Sequence, residues 1–363
     1  MSVWFFMLIS IAAVRFLIPD ALGEKKKNRI FLALCFFIIV FVVGSRSPHL
    51  TQSFDLYNYF SWYGRALVMP LSELIDGAPM ESFYLVLNKI LAWIVPWNYF
   101  IIYFEAAFTT GIMLWYIYRN ADSVYLGVIV YICLGPWQFF LTGFRQSFAI
   151  CICFVAYELL KKRKTSWDIV SVLLILLATA IHTTAWVFFG VFIIRRLKLT
   201  KKLVLYALML TLVLFLSVDT LLNLANDTLG RNYTDTFQGS IFGGLVPIII
   251  YIGTLFAAYF LYKEDKTLID DNMRMEIVML LTGLCIYCLR YNITIMERVS
   301  FYFTPTVTIA LSNSITRQPN KIQRNILFAL CIALCVLLFV YRSFTQYGEY
   351  HFFWEYLERR VFL

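Results

Sequence analysis

Apolar residues follow one another along this chain in long runs, and short polar stretches separate the runs. Runs of about 17 to 25 residues recur, and an α-helix of that length crosses roughly 30 Å of hydrocarbon. The pattern therefore predicts an all-α polytopic membrane protein with about twelve transmembrane helices. The predicted crossings are residues 2–18, 29–44, 98–118, 123–136, 139–160, 166–181, 184–194, 202–222, 244–262, 274–291, 295–313 and 324–342.

Segment 81–96 is apolar on one face but carries Asn88 and Lys89 at its centre, which is typical of an interfacial or re-entrant helix. When this segment is not counted as a crossing, every lysine-rich loop falls on the same side of the membrane. The positive-inside rule assigns that side to the cytoplasm and places both termini outside. The basic loops are residues 25–27, 161–164, 195–202, 263–266 and 317–324.

Three pieces of a single integral membrane domain then form the outer face. They are loop 45–97, which contains the interfacial or re-entrant helix, loop 223–243, and the C-terminal tail 343–363. The tail is rich in aromatic and charged residues, and this composition predicts an amphipathic helix that lies in the membrane interface.

Composition narrows the class of protein further. Hydrophobic residues make up 61% of the chain and charged residues 15%, whereas a soluble domain carries roughly a quarter charged residues. The net charge of +9 comes from lysines confined to short loops, so membrane topology explains it and no nucleic-acid partner is expected. The eight cysteines lie in apolar segments without zinc-like spacing, so they are predicted to be packing residues rather than metal ligands.

A second set of charges consists of single ionisable side chains at or near the predicted outer ends of apolar segments. Such groups cost roughly a few kcal/mol each at membrane depth and persist where they pair, line a wet cavity or do chemistry. Arginine suits phosphate because its planar guanidinium binds two oxygens at once, and Arg145 also lies near a helix N-terminus. The set predicts a site for an anionic, lipid-linked substrate. Its members are Arg46, Asp55, Arg145, His182, Arg290 and Arg298.

The arginines also have structural interpretations. Arg290 can pair with Glu297 as a bridge between neighbouring helices. Arg145 can be an interfacial arginine that snorkels to the membrane surface, and Arg46 can be solvated in the loop.

The remaining candidates have similar alternatives. His182 can be a satisfied structural histidine between two helices, with Thr183 and Thr184 capping the second one. Asp55 can cap a short helix, and Glu105, inside the third crossing, can pair with one of the arginines.

Four short motifs occur in a fixed order between about residues 40 and 305. They are Gly-Ser-Arg followed by Asp-Leu-Tyr-Asn-Tyr, then Phe-Arg-Gln-Ser-Phe-Ala, then Ile-His-Thr-Thr-Ala, and finally Glu-Arg-Val-Ser-Phe-Tyr-Phe. The ordered set resembles the EpsG family and the related Wzy-type polysaccharide polymerases. The usual family pattern has a Gly followed closely by an Asp-Tyr pair, whereas here Leu56 separates Asp55 from Tyr57.

The resemblance implies a GT-C-like, metal-independent glycosyltransferase without a cofactor in the bacterial cytoplasmic membrane. Its substrate would be an undecaprenyl-pyrophosphate-linked oligosaccharide, used on the outer face among membrane lipids. A co-polymerase that regulates chain length is a further expected partner.

The resemblance and the charges together suggest a role for each site residue. His182 or Asp55 would orient or deprotonate the acceptor hydroxyl. Glycan contacts are expected from Arg46, Tyr59 and loop 223–243. The residues expected to bind the donor pyrophosphate are Arg145, Arg290, Arg298 and Arg46, and those expected to bind glycan in particular are Tyr59, Arg231 and Tyr233.

Two other functions remain open from the sequence. One is an O-antigen ligase or another GT-C glycosyltransferase. The other is a flippase or transporter for a lipid-linked oligosaccharide, because transporters also contain broken helices such as the one expected at His182.

Overall fold

A computed structural model describes residues 2–50, 53–135, 137–229, 241–347 and 349–356. Over these residues the chain is helical and contains no extended strand; Arg46 and Phe352 form one isolated antiparallel bridge. The chain divides into two compact units, Met1–Trp186 together with Ala329–Leu363, and Val187–Phe328. The all-α class predicted from the sequence is confirmed.

Among the described residues, ten helices belong to the first unit, and most of them coincide with apolar runs of the sequence. They are α1 (Ser2–Leu17), α2 (Glu24–Gly44), α3 (Phe54–Val68), α4 (Leu71–Ile75), α5 (Ser82–Ile94), α6 (Phe100–Asn120), α7 (Val124–Cys133), α8 (Trp137–Phe140), α9 (Phe144–Leu160) and α10 (Thr165–Ile181).

The second unit follows a 3-10 segment, Thr183–Gly190, at which the chain passes from one unit to the other. Its helices are α11 (Val191–Ile194), α12 (Lys201–Leu229), α13 (Ile241–Glu264), α14 (Asp271–Cys288), α15 (Ile295–Ser300) and α16 (Val307–Thr316). Helix α17 (Lys321–Thr345) begins in the second unit and continues in the first.

Within the described residues, five helices are long and apolar enough to cross a membrane. They are Glu24–Gly44, Phe100–Asn120, Gly244–Glu264, Asp271–Tyr291 and Lys321–Thr345. Several further apolar helices are shorter, including Thr165–Ile181. The total of about twelve crossings and the GT-C-like arrangement stay predictions.

The segment expected to cross at 295–313 is broken rather than continuous. Helix α15 ends at Ser300, a 3-10 turn follows at Thr304–Thr306, and α16 begins at Val307. Pro305 lies in that turn. Proline lacks a backbone N–H and its ring clashes with the preceding helical turn, so an uninterrupted helix through this position is disfavoured.

Lys89 explains why the polar centre of segment 81–96 is compatible with a packed helix. Helix α5 packs against α3, and the buried Lys89 Nζ donates to the carbonyl oxygens of Ala66 at 2.8 Å and Met69 at 2.7 Å. These two carbonyls lie at the end of α3, where a helix lacks internal donors. The 13 residues of α5 rise only about 20 Å, which is short for a crossing.

Candidate functional site

Glu81 connects two sequence-predicted site residues in the first unit. The Nδ1 atom of His182 lies 3.0 Å from Glu81 Oε1, and Arg145 Nη1 donates to Glu81 Oε2 in an ion pair. Thr183 adds two further bonds to Oε1, from its backbone N–H at 3.1 Å and from its hydroxyl at 3.0 Å. The structure thus brings His182 and Arg145 together through a carboxylate.

Helix lengths explain why Arg145 and His182 meet. Helices α9 and α10 each contain 17 residues, are joined by a short basic loop and pack closely together. In an antiparallel pair of equal helices, the start of the first lies beside the end of the second. Arg145 is the second residue of α9 and His182 directly follows α10, so both lie at the same end of the pair.

Local backbone features fix both positions. Helix α9 starts after Gly143, where a Cβ atom would lie too close to the ring of Phe139, so a side chain at this position would clash. Helix α10 ends because His182 adopts an extended backbone conformation, with φ −150° and ψ 115°. Thr183 directs its hydroxyl to Glu81 rather than serving only as a helix cap.

The Glu81 carboxylate is saturated with donors. Burial opposes its ionisation, but hydrogen bonds from His182, Thr183 and its own backbone, together with the Arg145 charge, lower the pKa of Glu81 below its ordinary value. Such a carboxylate is a weak base and a firm acceptor. The side chains of Glu81, Arg145 and His182 are still 20–21% exposed, so a ligand can reach them.

Tyr59 supports the guanidinium of Arg145 from helix α3. Its hydroxyl is hydrogen-bonded to Arg145, and its ring stacks on Phe144 with centroids 4.9 Å apart and planes at 8°. The ring also meets Tyr84 edge-on at 5.9 Å. Tyr59 is only 8% exposed, so its placement favours holding Arg145 over contacting a glycan.

Arg46 lies in a separate buried cluster of the first unit. Its Nε donates to Val43 O at 2.9 Å, and the charge of the fully buried Glu105 acts on it. Burial lowers the pKa of Arg46 to about 10, while Glu105 and Tyr350 oppose the shift, so the group stays charged at neutral pH. Both Glu105 carboxylate oxygens are buried without a hydrogen-bond partner, so a pair between Glu105 and an arginine stays a prediction. A solvated Arg46 does not fit its burial.

The C-terminal tail covers Arg46. Phe352 pairs with Arg46 in the isolated bridge, Ser47 N–H donates to His351 O at 2.8 Å, and Phe353 N–H donates to Ser45 O at 2.9 Å. The tail residues 349–356 therefore bind the first turn of loop 45–97. The amphipathic helix expected over residues 343–363 also includes residues 357–363, which lie outside the described residues.

Asp55 is placed differently from the other candidates. It is exposed in the first turn of α3, and the N-cap of that helix is Ser53, whose hydroxyl accepts from Leu56 N–H at 3.3 Å. Asp55 is therefore not the cap of this helix. The structure does not join it to Glu81 by a hydrogen bond.

Arg290 belongs to a cluster in the second unit. It pairs with Glu297 at 3.2 Å, donates to the hydroxyl of Tyr287, and lies over the rings of Tyr287 and Tyr291. Gly244 of α13 lies against this group, since a Cβ there would come within 3.1 Å of Arg290 Cζ. The predicted bridge between Arg290 and Glu297 is present.

The other candidate residues of the second unit have fewer described contacts. Arg298 is exposed on α15, next to Glu297 in sequence. Arg231 and Tyr233 lie outside the described residues. Convergence of the arginines of the two units on one pyrophosphate stays a prediction. Over the described ranges, no group of three or more His, Cys, Asp or Glu side chains is arranged to hold a metal ion.

Sequence reasoning missed Glu81, although its helix was noted. The signal was an isolated acidic residue directly before an amphipathic apolar helix on the predicted outer side. Arg145 and His182 are predicted to lie on that side without an assigned counter-ion, and charges at membrane depth persist mainly in pairs. The acidic residues that loop 45–97 offers as partners are Asp55, Glu73, Asp76 and Glu81.

Comparison with known protein families identifies the family of this chain. The family model described as "EpsG family" matches residues 29–357, nearly the whole chain. The chain belongs to the EpsG family. This is a family of Wzy-type polysaccharide polymerases, and the match extends over both compact units and every candidate residue. No curated protein and no solved structure matches the chain.

Membership in the EpsG family confirms the resemblance drawn from the four motifs. Together with the long apolar helices, it makes the chain a membrane protein with a Wzy-like polysaccharide polymerase function in general. The matched range includes Glu81, Arg145 and His182, the residues that the structure joins.

Proposed function

We propose that this EpsG-family protein joins undecaprenyl-pyrophosphate-linked oligosaccharide repeat units on the outer face of the bacterial cytoplasmic membrane. The observation that carries the proposal is the Glu81 carboxylate, which binds His182 on one oxygen and Arg145 on the other. A base and a phosphate-binding cation are thereby held side by side. Glycosyl transfer from a lipid pyrophosphate needs both functions.

His182 is the proposed general base. With the ring proton on Nδ1, the imidazole donates to Glu81 Oε1 at 3.0 Å, and Nε2 carries the basic lone pair. The acceptor hydroxyl oxygen attacks the anomeric carbon of the donor glycan while its proton passes to Nε2. The bond between the anomeric carbon and the pyrophosphate oxygen breaks, and its electron pair leaves with the lipid pyrophosphate.

Glu81 orients the base rather than acting as one. Its oxygens accept four hydrogen bonds from three residues, and the lowered pKa makes the carboxylate a poor proton acceptor. A carboxylate hydrogen-bonded to Nδ1 in this way fixes the imidazole tautomer and stabilises the imidazolium formed during transfer. His182 is therefore favoured over Asp55, which is exposed and lacks a comparable partner among the described contacts.

Arg145 is proposed to bind the departing pyrophosphate. A guanidinium has five N–H donors, more than Glu81 and Tyr59 require, and 21% of the Arg145 side chain is exposed. Arg290 and Arg298 of the second unit are proposed to share this role, with Arg231 and Tyr233 binding glycan. Charge neutralisation by arginines would let the transfer proceed without a metal ion.

The test is polymerisation by purified protein in nanodiscs that contain a synthetic lipid-pyrophosphate repeat unit. Wild type should give a ladder of multiples, and Arg145→Gln should give none. The matched control is Arg65→Gln, because Arg65 is an exposed arginine whose guanidinium lies over the ring of Trp62. It should retain the ladder.

Two results would overturn the proposal. One is a normal ladder from Arg145→Gln at equal protein amount. The other is a folded wild-type protein that moves the lipid-linked unit between leaflets but never elongates it, which would establish a flippase.

A further inference from the structure

A groove between α2 and α6 lies in the half of these helices that is remote from the candidate site. It has a volume of about 270 Å³ and is walled mainly by apolar side chains. Its apolar lining consists of Leu32, Ala33, Phe36, Gly111, Leu114 and Trp115. Arg46 lies just beyond the opposite end of α2 and Glu105 lies near the opposite end of α6, so the groove is separate from both residues.

The lack of a side chain at Gly111 widens this groove and is not needed for close packing of the two helices. A Cβ at this position would meet only Phe36 Cε2, at 3.5 Å, which is ordinary van der Waals contact. Gly44, in contrast, lies so close to Tyr103 that a Cβ would clash with its ring. The α2–α6 pair therefore requires a glycine at 44 but not at 111, and the missing side chain at 111 enlarges the groove.

The polar end of the groove is cationic. Arg29 is exposed, and its Nε donates to Tyr118 Oη at 3.1 Å, which holds the guanidinium at the groove. Lys25 and Lys26 precede it by one helical turn on the same face, and both are exposed. Glu24 in that turn is bonded to Arg15.

From these observations we infer that the groove binds one anionic phospholipid. Its acyl chain would lie along Phe36, Gly111 and Trp115, and its phosphate would bind Arg29. A cation at the end of an apolar groove fits an amphiphile with an anionic head. The lysine-rich start of α2 is predicted to face the cytoplasmic leaflet, where basic residues beside the membrane attract anionic lipids.

The bound lipid is expected to strengthen the α2–α6 pair. At the far end of this pair, Ser45 and Tyr103 are hydrogen-bonded through their hydroxyls at 2.7 Å. The lipid would fill the space between the two helices at the opposite end, which contains Arg29 and Tyr118. This inference does not depend on polymerase activity and can fail or hold by itself.

The test is native mass spectrometry of the delipidated full-length protein titrated with phosphatidylglycerol or with phosphatidylcholine of the same acyl chains. Wild type should retain one phosphatidylglycerol about fivefold more strongly than phosphatidylcholine. Arg29→Gln should abolish this headgroup preference. The matched control is Arg324→Gln, a half-buried arginine in the first turn of α17, which should keep it.

Variants that fill the groove test the contribution of the acyl chain to binding separately from that of the headgroup. Gly111→Leu should reduce retention of both lipids, and Ala33→Leu gives a second filling variant if the first does not yield monodisperse protein. Equal retention of the two lipids by wild type would overturn the inference. So would a headgroup preference that persists in Arg29→Gln, or tight retention in a monodisperse filled variant.

Discussion

His182 Nδ1 lies 3.0 Å from Glu81 Oε1, although 101 residues separate the two in sequence. The contact joins the end of α10 to the start of α5, and Arg145 at the start of α9 binds the second oxygen of the same carboxylate. The candidate base and the candidate phosphate ligand thus share one anion. A change in Glu81 should consequently affect both.

Replacing Glu81 with Gln should reduce polymerisation by about 100-fold or more, because the amide neither stabilises the imidazolium nor pairs with Arg145. Glu81→Asp keeps the charge and should recover part of the activity. Initial rates of repeat-unit addition in nanodiscs measure both variants. Nearly wild-type activity of Glu81→Gln would show that this carboxylate has no part in catalysis.

The stability that Glu81 contributes should depend on pH in one direction. Its pKa in the folded protein lies below the ordinary 4.5, so its contribution is full above that value and is lost as pH falls through the folded-state pKa. Thermal unfolding in detergent should show a smaller difference between wild type and Glu81→Gln below about pH 4.5 than at about pH 6. A difference that grows as the pH falls below about 4.5 would contradict the assignment.

Lys89→Met should loosen α3 from α5. The substitution leaves the carbonyls of Ala66 and Met69 without the ammonium that binds them, at a cost of about 2 to 4 kcal/mol. Thermal or denaturant unfolding measures the loss. Lys162→Met is the control, because Lys162 is exposed over the ring of Trp167, and an equal loss in this variant would refute the capping role of Lys89.

Two glycines of α13 offer a matched test of the Arg290 cluster. A Cβ on Gly244 would lie 2.9 Å from Tyr291 Oη and 3.1 Å from Arg290 Cζ, whereas Gly253 has nothing within 4 Å. Gly244→Ala should displace the guanidinium from Glu297 and lower the polymerisation rate about tenfold. Gly253→Ala should preserve the rate, and equal rates for the two variants would argue against a role for Arg290.

The helical class and most helix positions could be predicted from sequence because long apolar runs determine both. The Arg145 position at a helix start and the His182 break were predicted from the same pattern. The break near Pro305 was missed because apolar composition outweighed the proline in defining that span. The Glu81 contacts could not be predicted, since they depend on how α5, α9 and α10 pack and no spacing in the sequence encodes that packing.

The assignment of Tyr59 shows the same limit. An aromatic residue in an outer loop is typical of a glycan contact. The ring of Tyr59 instead stacks on Phe144, and its hydroxyl is hydrogen-bonded to Arg145. Which face of α3 is buried follows from its contacts with neighbouring helices, and Lys89 fixes one of those contacts from α5. Side-chain exposure in this loop is therefore a tertiary property.

The central claim is that His182, held by Glu81, is the base for polymerisation. The most direct test compares single-turnover elongation of a lipid-linked repeat unit by His182→Gln and Asp55→Asn in nanodiscs at equal protein amount. The account predicts that His182→Gln loses at least about 100-fold in rate and that Asp55→Asn retains most of it. Wild-type elongation by His182→Gln together with an inactive Asp55→Asn would contradict the account.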